Sequence, residues 1–178
     1  TLVQPRLLPH FRNFTMTTSL YDFSVKPYLQ QLGAVSGVLE KGRQYCAENN
    51  IELDEIVNTR LHADMQPFHF QIVSVVHHSW TAMQGVKAGE FTTPSFAIDK
   101  NYQELQASVN DALAGIKELQ PEEVNAMAGN EVLFKIGDNI MPFIAEEFLM
   151  SFSLPNFYFH ATTTYDILRM KGVPLGKR

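Results

Sequence analysis

Four long stretches of this chain carry apolar residues at intervals of three and four, the spacing that marks one face of an α-helix. The first stretch begins near Leu20, directly after the capping residue Ser19, and ends at the polar pair Asn49–Asn50. Its apolar positions are Tyr28, Leu32, Val35, Leu39 and Cys46. A stripe of this length predicts a long amphipathic helix that buries one face against other helices.

The other three helices are delimited by proline, glycine and polar residues. The second begins at Pro67 and ends near Gly89, because proline suits a first helical turn and glycine a helix end. The third covers about 101–119 and the fourth about 144–171, followed by the stop residue Gly172. Four long helices in one chain predict an all-α fold, a four-helix bundle.

A short segment between the third and fourth helices has the pattern of β-structure. Val132, Phe134 and Ile136 alternate with other residues, and Gly137-Asp138-Asn139 has the composition of a tight turn. We therefore expect a small β-hairpin there. The segment 91–98, after the second helix, is predicted to be a connection.

Composition limits the classes of partner. The 178 residues suffice for one domain with a real core, and 45% of them are hydrophobic. The net charge of −5 without basic runs argues against a nucleic-acid partner. No apolar stretch approaches the roughly 20 residues that a membrane span requires. The single cysteine, Cys46, fits a reducing compartment, so we expect a cytoplasmic protein.

The first fifteen residues differ from the rest of the chain. They contain Arg6, Arg12 and His10 but no acidic residue. We expect residues 1–15 to be an N-terminal extension outside the domain, with a targeting segment as the alternative. Residues 16–178 are predicted to form a single domain.

The second helix places one histidine in a strip of small and semi-polar residues. Gln71, Ser74, Val75 and His78 lie three or four residues apart and so share a face. Such a strip leaves room beside His78 for a ligand, a water or a metal ion. The alternative is a close helix crossing in which the histidine bonds a carbonyl. His77 points about 100° away and is expected to be peripheral.

The fourth helix places a second histidine on its core-facing side. Phe157, His160 and Thr164 share a face with apolar residues one and two turns further on. A buried imidazole requires hydrogen-bond partners for its nitrogens. Thr164 could supply one, and His78 could meet His160 across the bundle core.

Helix bundles build metal sites from side chains on facing helices, and catalytic zinc takes three protein ligands. Here His78 and His160 are the only strong candidate ligands. Spacing does not select a third ligand from Asp64, Glu147 and Asp166. A divalent metal such as zinc, nickel or iron therefore remains one alternative, beside a site without a metal.

The C-terminal residues also resemble those of a known family. The matching residues are Leu154-Pro155-Asn156-Phe157-Tyr158-Phe159-His160, Thr163, residues 165–169 and residues 172–178, with weaker matches at Tyr21, Asp64, Met65, Pro67, Gln71 and His78. They are similar to an uncharacterised bacterial and fungal domain family that is grouped with the DinB/YfiT-like metalloenzymes, over about residues 16–178.

The resemblance implies a DinB-like four-helix bundle with a cavity between its helices, often as a homodimer. In the wider superfamily the cavity commonly holds a divalent metal on three histidines. Only His78 and His160 carry over from that set, because Thr164 stands where the third histidine is expected.

These observations lead to three hypotheses of function. The first is an enzyme that binds a small molecule in an inter-helix pocket and uses acid–base chemistry of isomerase, cyclase or lyase type. The second is a non-catalytic module that binds a small molecule or a second subunit. The third is a metal-dependent hydrolase or transferase. The predicted catalytic residues are His78, His160 and Tyr165. The predicted substrate-binding residues are Asp64, Gln71, Val75, Trp80, Asn156, Phe157 and Thr164.

Overall fold

The computed structural model describes residues 18–94 and 99–176. The extension predicted for residues 1–15 lies outside the described residues. The helices, in chain order, are α1 (Leu20–Asn49), α2 (Leu53–Asn58), α3 (Phe68–Val76), π1 (His77–Thr81), α4 (Ala82–Ala88), α5 (Tyr102–Glu118), α6 (Pro121–Asn125), α7 (Ala145–Glu147), π2 (Phe148–Ser153) and α8 (Leu154–Met170). The strands are β1 (Glu90–Thr92), β2 (Glu131–Ile136) and β3 (Asn139–Ile144).

Local sequence signals define the ends of the long helices as predicted. Ser19 and Asp22 form a reciprocal capping box at the start of α1, and Asn50 ends that helix in the left-handed conformation. Asn101 caps α5 in the same reciprocal way with Glu104. Each pair satisfies backbone N–H groups that have no partner within the helix.

The bundle consists of α1, the continuous helix α3–π1–α4, α5, and the continuous helix α7–π2–α8. α1 packs against α5 and α8, and α3 packs against α8 and α5. The predicted four-helix bundle is therefore confirmed. The second and fourth long helices each contain a π-helical segment, π1 and π2, and these segments were not predicted.

The predicted hairpin is confirmed as β2 and β3, antiparallel strands joined at Gly137-Asp138. Its core face contributes the buried Val132 and Phe134. A third strand, β1, pairs with β2 in parallel within the segment expected to be a connection. Three residues are too few to show a period-two pattern, so β1 left no readable signal.

In the described part of the chain, no helix is both long enough and apolar enough to cross a membrane.

Candidate functional site

The two π-helical segments face each other and are joined by a buried hydrogen-bond chain. The hydroxyl of Ser153, at the end of π2, donates to the backbone carbonyl of His78 in π1 at 2.8 Å. The phenol of Tyr28 on α1 donates to Ser153 Oγ at 3.0 Å. π-Helical turns disturb the regular backbone ladder and occur often at functional sites. The Ser153 hydroxyl supplies a partner for a carbonyl in the disturbed turn and so ties π1 to π2.

His78 and His160 meet across the interface between these two long helices. Their ring centroids are 5.9 Å apart and their planes differ by only 8°. The structure thus brings together the two histidines that the sequence placed on separate helices.

Gln71 determines which nitrogen of His160 bears the proton. The Gln71 side-chain amide donates from Nε2 to the carbonyl of Gln66 at 2.8 Å. Its Oε1 therefore faces His160 Nδ1, also at 2.8 Å, and can only accept a hydrogen bond. His160 is accordingly protonated on Nδ1 when neutral, which leaves a lone pair on Nε2.

Aromatic rings surround both histidines and keep them neutral. Phe91 and Phe152 lie 5.9 and 5.5 Å from the His78 ring, centroid to centroid, and Phe70 and Phe159 lie 5.9 and 5.1 Å from the His160 ring. Burial lowers the pKa of His160 to about 4. Burial, with smaller contributions from the neighbouring His77 and His160 rings, lowers the pKa of His78 to about 3.

His77 is not peripheral, contrary to the expectation from the helical wheel. Only 8% of its surface is exposed, and its Nε2 lies 2.7 Å from the carbonyl oxygen of Thr92. Burial lowers the pKa of His77, and the bond to Thr92 opposes that effect. The expectation was wrong because β1, which supplies the carbonyl and covers His77, could not be seen in the sequence.

The remaining polar residues predicted on α8 lie near His160 but bond elsewhere. Thr164 is buried, and its hydroxyl donates to the His160 backbone carbonyl at 2.8 Å instead of to the ring. The Asn156 amide donates to the carbonyl of Phe152 at 2.7 Å. Tyr165 is half-buried and, five residues after His160, projects about 140° away from it around the helix.

The other predicted binding residues are dispersed. Phe157 is fully buried and makes an edge contact with Tyr28 at 5.1 Å between centroids. Val75 is fully buried on α3. Trp80 packs over Gly115 of α5, where an added Cβ would lie 2.8 Å from the indole. Asp64 is exposed and pairs with His62 at 2.6 Å.

Several residues that contribute to the site were not predicted, among them Ser153, Phe91 and Phe152. Ser153 precedes the matching C-terminal run by one residue, and nothing in its helical spacing marks a contact with π1. Phe91 lies on the unpredicted strand β1. The high proportion of phenylalanine, 13 of 178 residues, indicated an aromatic core without locating it.

The donor set does not fit a metal site with three histidines. Within residues 18–94 and 99–176, no group of three or more histidine, cysteine, aspartate or glutamate side chains could hold a metal ion. The hydroxyl of Thr164, at the position of the expected third ligand, is committed to the His160 carbonyl. We therefore assign no chemical step to a metal.

Two surface clefts in the described part of the chain are lined by residues other than His78 and His160. One, of about 180 Å³, lies beside His77 and is also lined by Lys100 and Ser108. The other, of about 330 Å³, lies between the end of α1 and α2. A pocket at the histidine pair is therefore a proposal and not one of these two clefts.

The described residues form a four-helix bundle with a histidine pair between two of its long helices. A family model described as a domain of unknown function, DUF1993, matches residues 20–178. The chain belongs to this family, and the resemblance noted in its C-terminal residues is confirmed.

A solved structure supports the same fold. The chain is similar to a DinB family member protein from Shewanella denitrificans, with a TM-score of 0.72 and 21% sequence identity. The match covers 89% of each chain. No curated protein matches this chain.

Proposed function

We propose that this protein binds a small organic molecule between α3–π1 and α8, where His160 moves a proton on it and His78 holds it by a hydrogen bond. The observation that supports this proposal is the near-parallel His78–His160 pair, whose centroids are 5.9 Å apart. Two imidazoles from facing helices, in an aromatic surround, can act on opposite ends of one small group.

His160 is the proposed proton acceptor. The Gln71 contact holds the proton on Nδ1, so the Nε2 lone pair is available to a substrate C–H or O–H. With a pKa of about 4, the imidazole is unprotonated at neutral pH. His160 would then return this proton to another atom of the same molecule, as an isomerase step requires, while the neutral His78 imidazole holds the molecule by a hydrogen bond.

A second candidate function is binding without catalysis. The same low pKa values favour it, because a general base is most effective when its pKa is near the working pH. In this case the histidines would anchor a ligand by hydrogen bonds, and the phenylalanines would supply most of the contact surface.

The two functions can be separated by isotope exchange. Small organic compounds would first be screened for binding by ligand-detected NMR, against the wild type and His160→Gln. Compounds that depend on His160 would then be incubated with the protein in D2O. Proton transfer predicts that a substrate C–H signal disappears with the wild type and persists with His160→Gln.

The controls use a histidine elsewhere. His62 is exposed on the segment before α3, so His62→Gln should leave both binding and exchange unchanged. Binding that depends on His160 without exchange would favour the non-catalytic module. Absence of any His160-dependent compound would contradict both functions.

A further inference from the structure

Ser74 behaves differently from the other buried hydroxyl residues in the helices. The hydroxyls of Ser24, Ser79 and Thr164 each donate to a carbonyl one turn earlier, at 2.5, 2.7 and 2.8 Å. Ser74 is 1% exposed, yet its Oγ has no hydrogen-bond partner among the described residues. A buried hydroxyl without a partner loses its hydration and gains nothing in return.

A second polar atom without a partner lies one turn further along. His78 is 7% exposed, and its Nδ1 is buried and has no hydrogen bond within the described part of the chain. Ser74 and His78 are four residues apart on the strip of the helix that also carries Gln71. Since Gln71 bonds His160, this strip faces α8.

The facing helix supplies a complementary atom. His160 Nδ1 is occupied by Gln71, so Nε2 is the nitrogen that can accept another hydrogen bond. Ser74 Oγ, His78 Nδ1 and His160 Nε2 therefore belong to one interface. Among them they offer donors and an acceptor for a group that the described residues do not supply.

The electrostatics limit the charge of that group. Burial is the main cause of the low pKa of both histidines, and for His78 the additional contributions come only from other histidine rings. No carboxylate, lysine or arginine side chain of the described residues is among the causes of either pKa shift. An ion buried here would have no opposite charge to offset its lost hydration.

We propose that the site between α3–π1 and α8 takes an uncharged molecule whose hydroxyl or amide group accepts from Ser74 or His78 and donates to His160. Phe91, Phe152 and Phe159 favour an aromatic or aliphatic body beside that group. This proposal names the ligand class of the site in the proposed function and rests on it.

The test is a matched series of four probes on one ring: benzyl alcohol, benzamide, benzoate and benzylamine. Their affinities would be measured at pH 7 by amide chemical-shift titration of the full chain. We expect the alcohol and the amide to bind and to shift residues of α3, π1 and α8. Ser74→Ala should weaken this binding about 3- to 10-fold, the effect of one lost neutral hydrogen bond.

Ser24→Ala is the matched control, because Ser24 is equally buried but bonds the carbonyl of Leu20. It should leave the affinity unchanged and lower the melting temperature. Ser74→Ala should leave the melting temperature unchanged or raise it, because the lost hydroxyl had no partner. A fall equal to that of Ser24→Ala would overturn the proposal.

The affinities of the four probes also test the proposed ligand class. Benzoate or benzylamine binding as well as the neutral pair would refute an uncharged ligand. Binding of no probe, or binding indifferent to Ser74, would overturn the assignment of an uncharged hydroxyl or amide ligand to this site. Neither result bears on deuterium exchange by His160, so the proton-transfer proposal is judged separately.

Discussion

Two buried polar regions of this bundle differ in how completely their atoms are satisfied. At one, Tyr102 of α5 donates to the carbonyl of Leu39 at 2.8 Å and stacks on Phe68 with centroids 5.8 Å apart. An added Cβ on Gly42 would lie 2.6 Å from the Tyr102 hydroxyl, so glycine permits this approach. At the other, between α3–π1 and α8, Ser74 and His78 have buried atoms without partners among the described residues.

The difference separates structural polar groups from functional ones. A buried hydroxyl that bonds a backbone carbonyl and fills its space contributes to stability. Buried atoms without partners lower stability, and in our proposal a ligand beside the histidine pair supplies the missing partners. Substitutions in the two regions, and acid, test this contrast.

Tyr102→Ala should lower the free energy of unfolding by about 3–5 kcal/mol, because it removes a fully packed ring and leaves a cavity. Chemical denaturation measures the change. Tyr102→Phe is the control, and should cost only about 0.5–1.5 kcal/mol because it loses the hydrogen bond alone. A small effect of the alanine variant would mean that the packing and bonding of Tyr102 do not stabilise the fold.

Ser153→Ala should lower the free energy of unfolding by about 1–3 kcal/mol, because it leaves the Tyr28 phenol and the His78 carbonyl without their buried partner. Ser153→Thr keeps the hydroxyl and should recover part of the loss. The NMR signals of the His78 ring should also move in the alanine variant, since π1 loses its tie to π2. Unchanged ring signals would show that the bond does not position His78.

Acid should destabilise the protein through its histidines before the carboxylates titrate. The pKa of His160 is about 4 in the folded state against an ordinary value of 6.5, so between these values the unfolded chain binds more protons. Stability should therefore fall as the pH is lowered from about 6.5 towards 4, by about 1.4 kcal/mol per pH unit for each such histidine. Denaturation curves at pH 7, 6 and 5 measure the slope.

His160→Gln should reduce that slope by one histidine's share, whereas exposed His62→Gln should not. An equal slope in His160→Gln and the wild type would show that His160 titrates normally in the folded protein.

His78→Leu should leave the free energy of unfolding unchanged or raise it by up to about 1 kcal/mol, since it replaces an incompletely bonded buried ring by an apolar side chain. The neighbouring variant His77→Leu loses a bond to the Thr92 carbonyl and should cost about 1 kcal/mol. Thermal denaturation of both variants decides the comparison. A larger loss of stability for His78→Leu than for His77→Leu would contradict the view that His77 is the stabilising histidine and His78 the incompletely bonded one.

Much of the fold followed from local patterns. Ser19 and Asn101 marked helix starts, Gly89 and Gly172 marked helix ends, and Gly137 marked the hairpin turn, because each acts within a few residues of itself. The π-helical segments were not predictable, since they change the hydrogen-bonding ladder without changing the apolar spacing enough to be seen.

The site was predictable only in part. Helical spacing placed Gln71, Ser74 and His78 on one strip and His160 on the core side of another helix. It also suggested Thr164 as the partner of the His160 ring, whereas Gln71 is that partner. Trp80 and Asp64 were proposed for the same pocket, yet they lie against α5 and in solvent.

The sequence alone shows which residues share a helix face, because the turn of a helix is a local property of the backbone. It therefore identified the bundle, the family and the two histidines. The packing of the helices against one another stacks His78 on His160 and lets Gln71 orient the His160 ring. It also leaves atoms of Ser74 and His78 without partners among the described residues. Those facts depend on how separate helices approach one another, and a buried polar atom is satisfied or left unpaired by that approach alone.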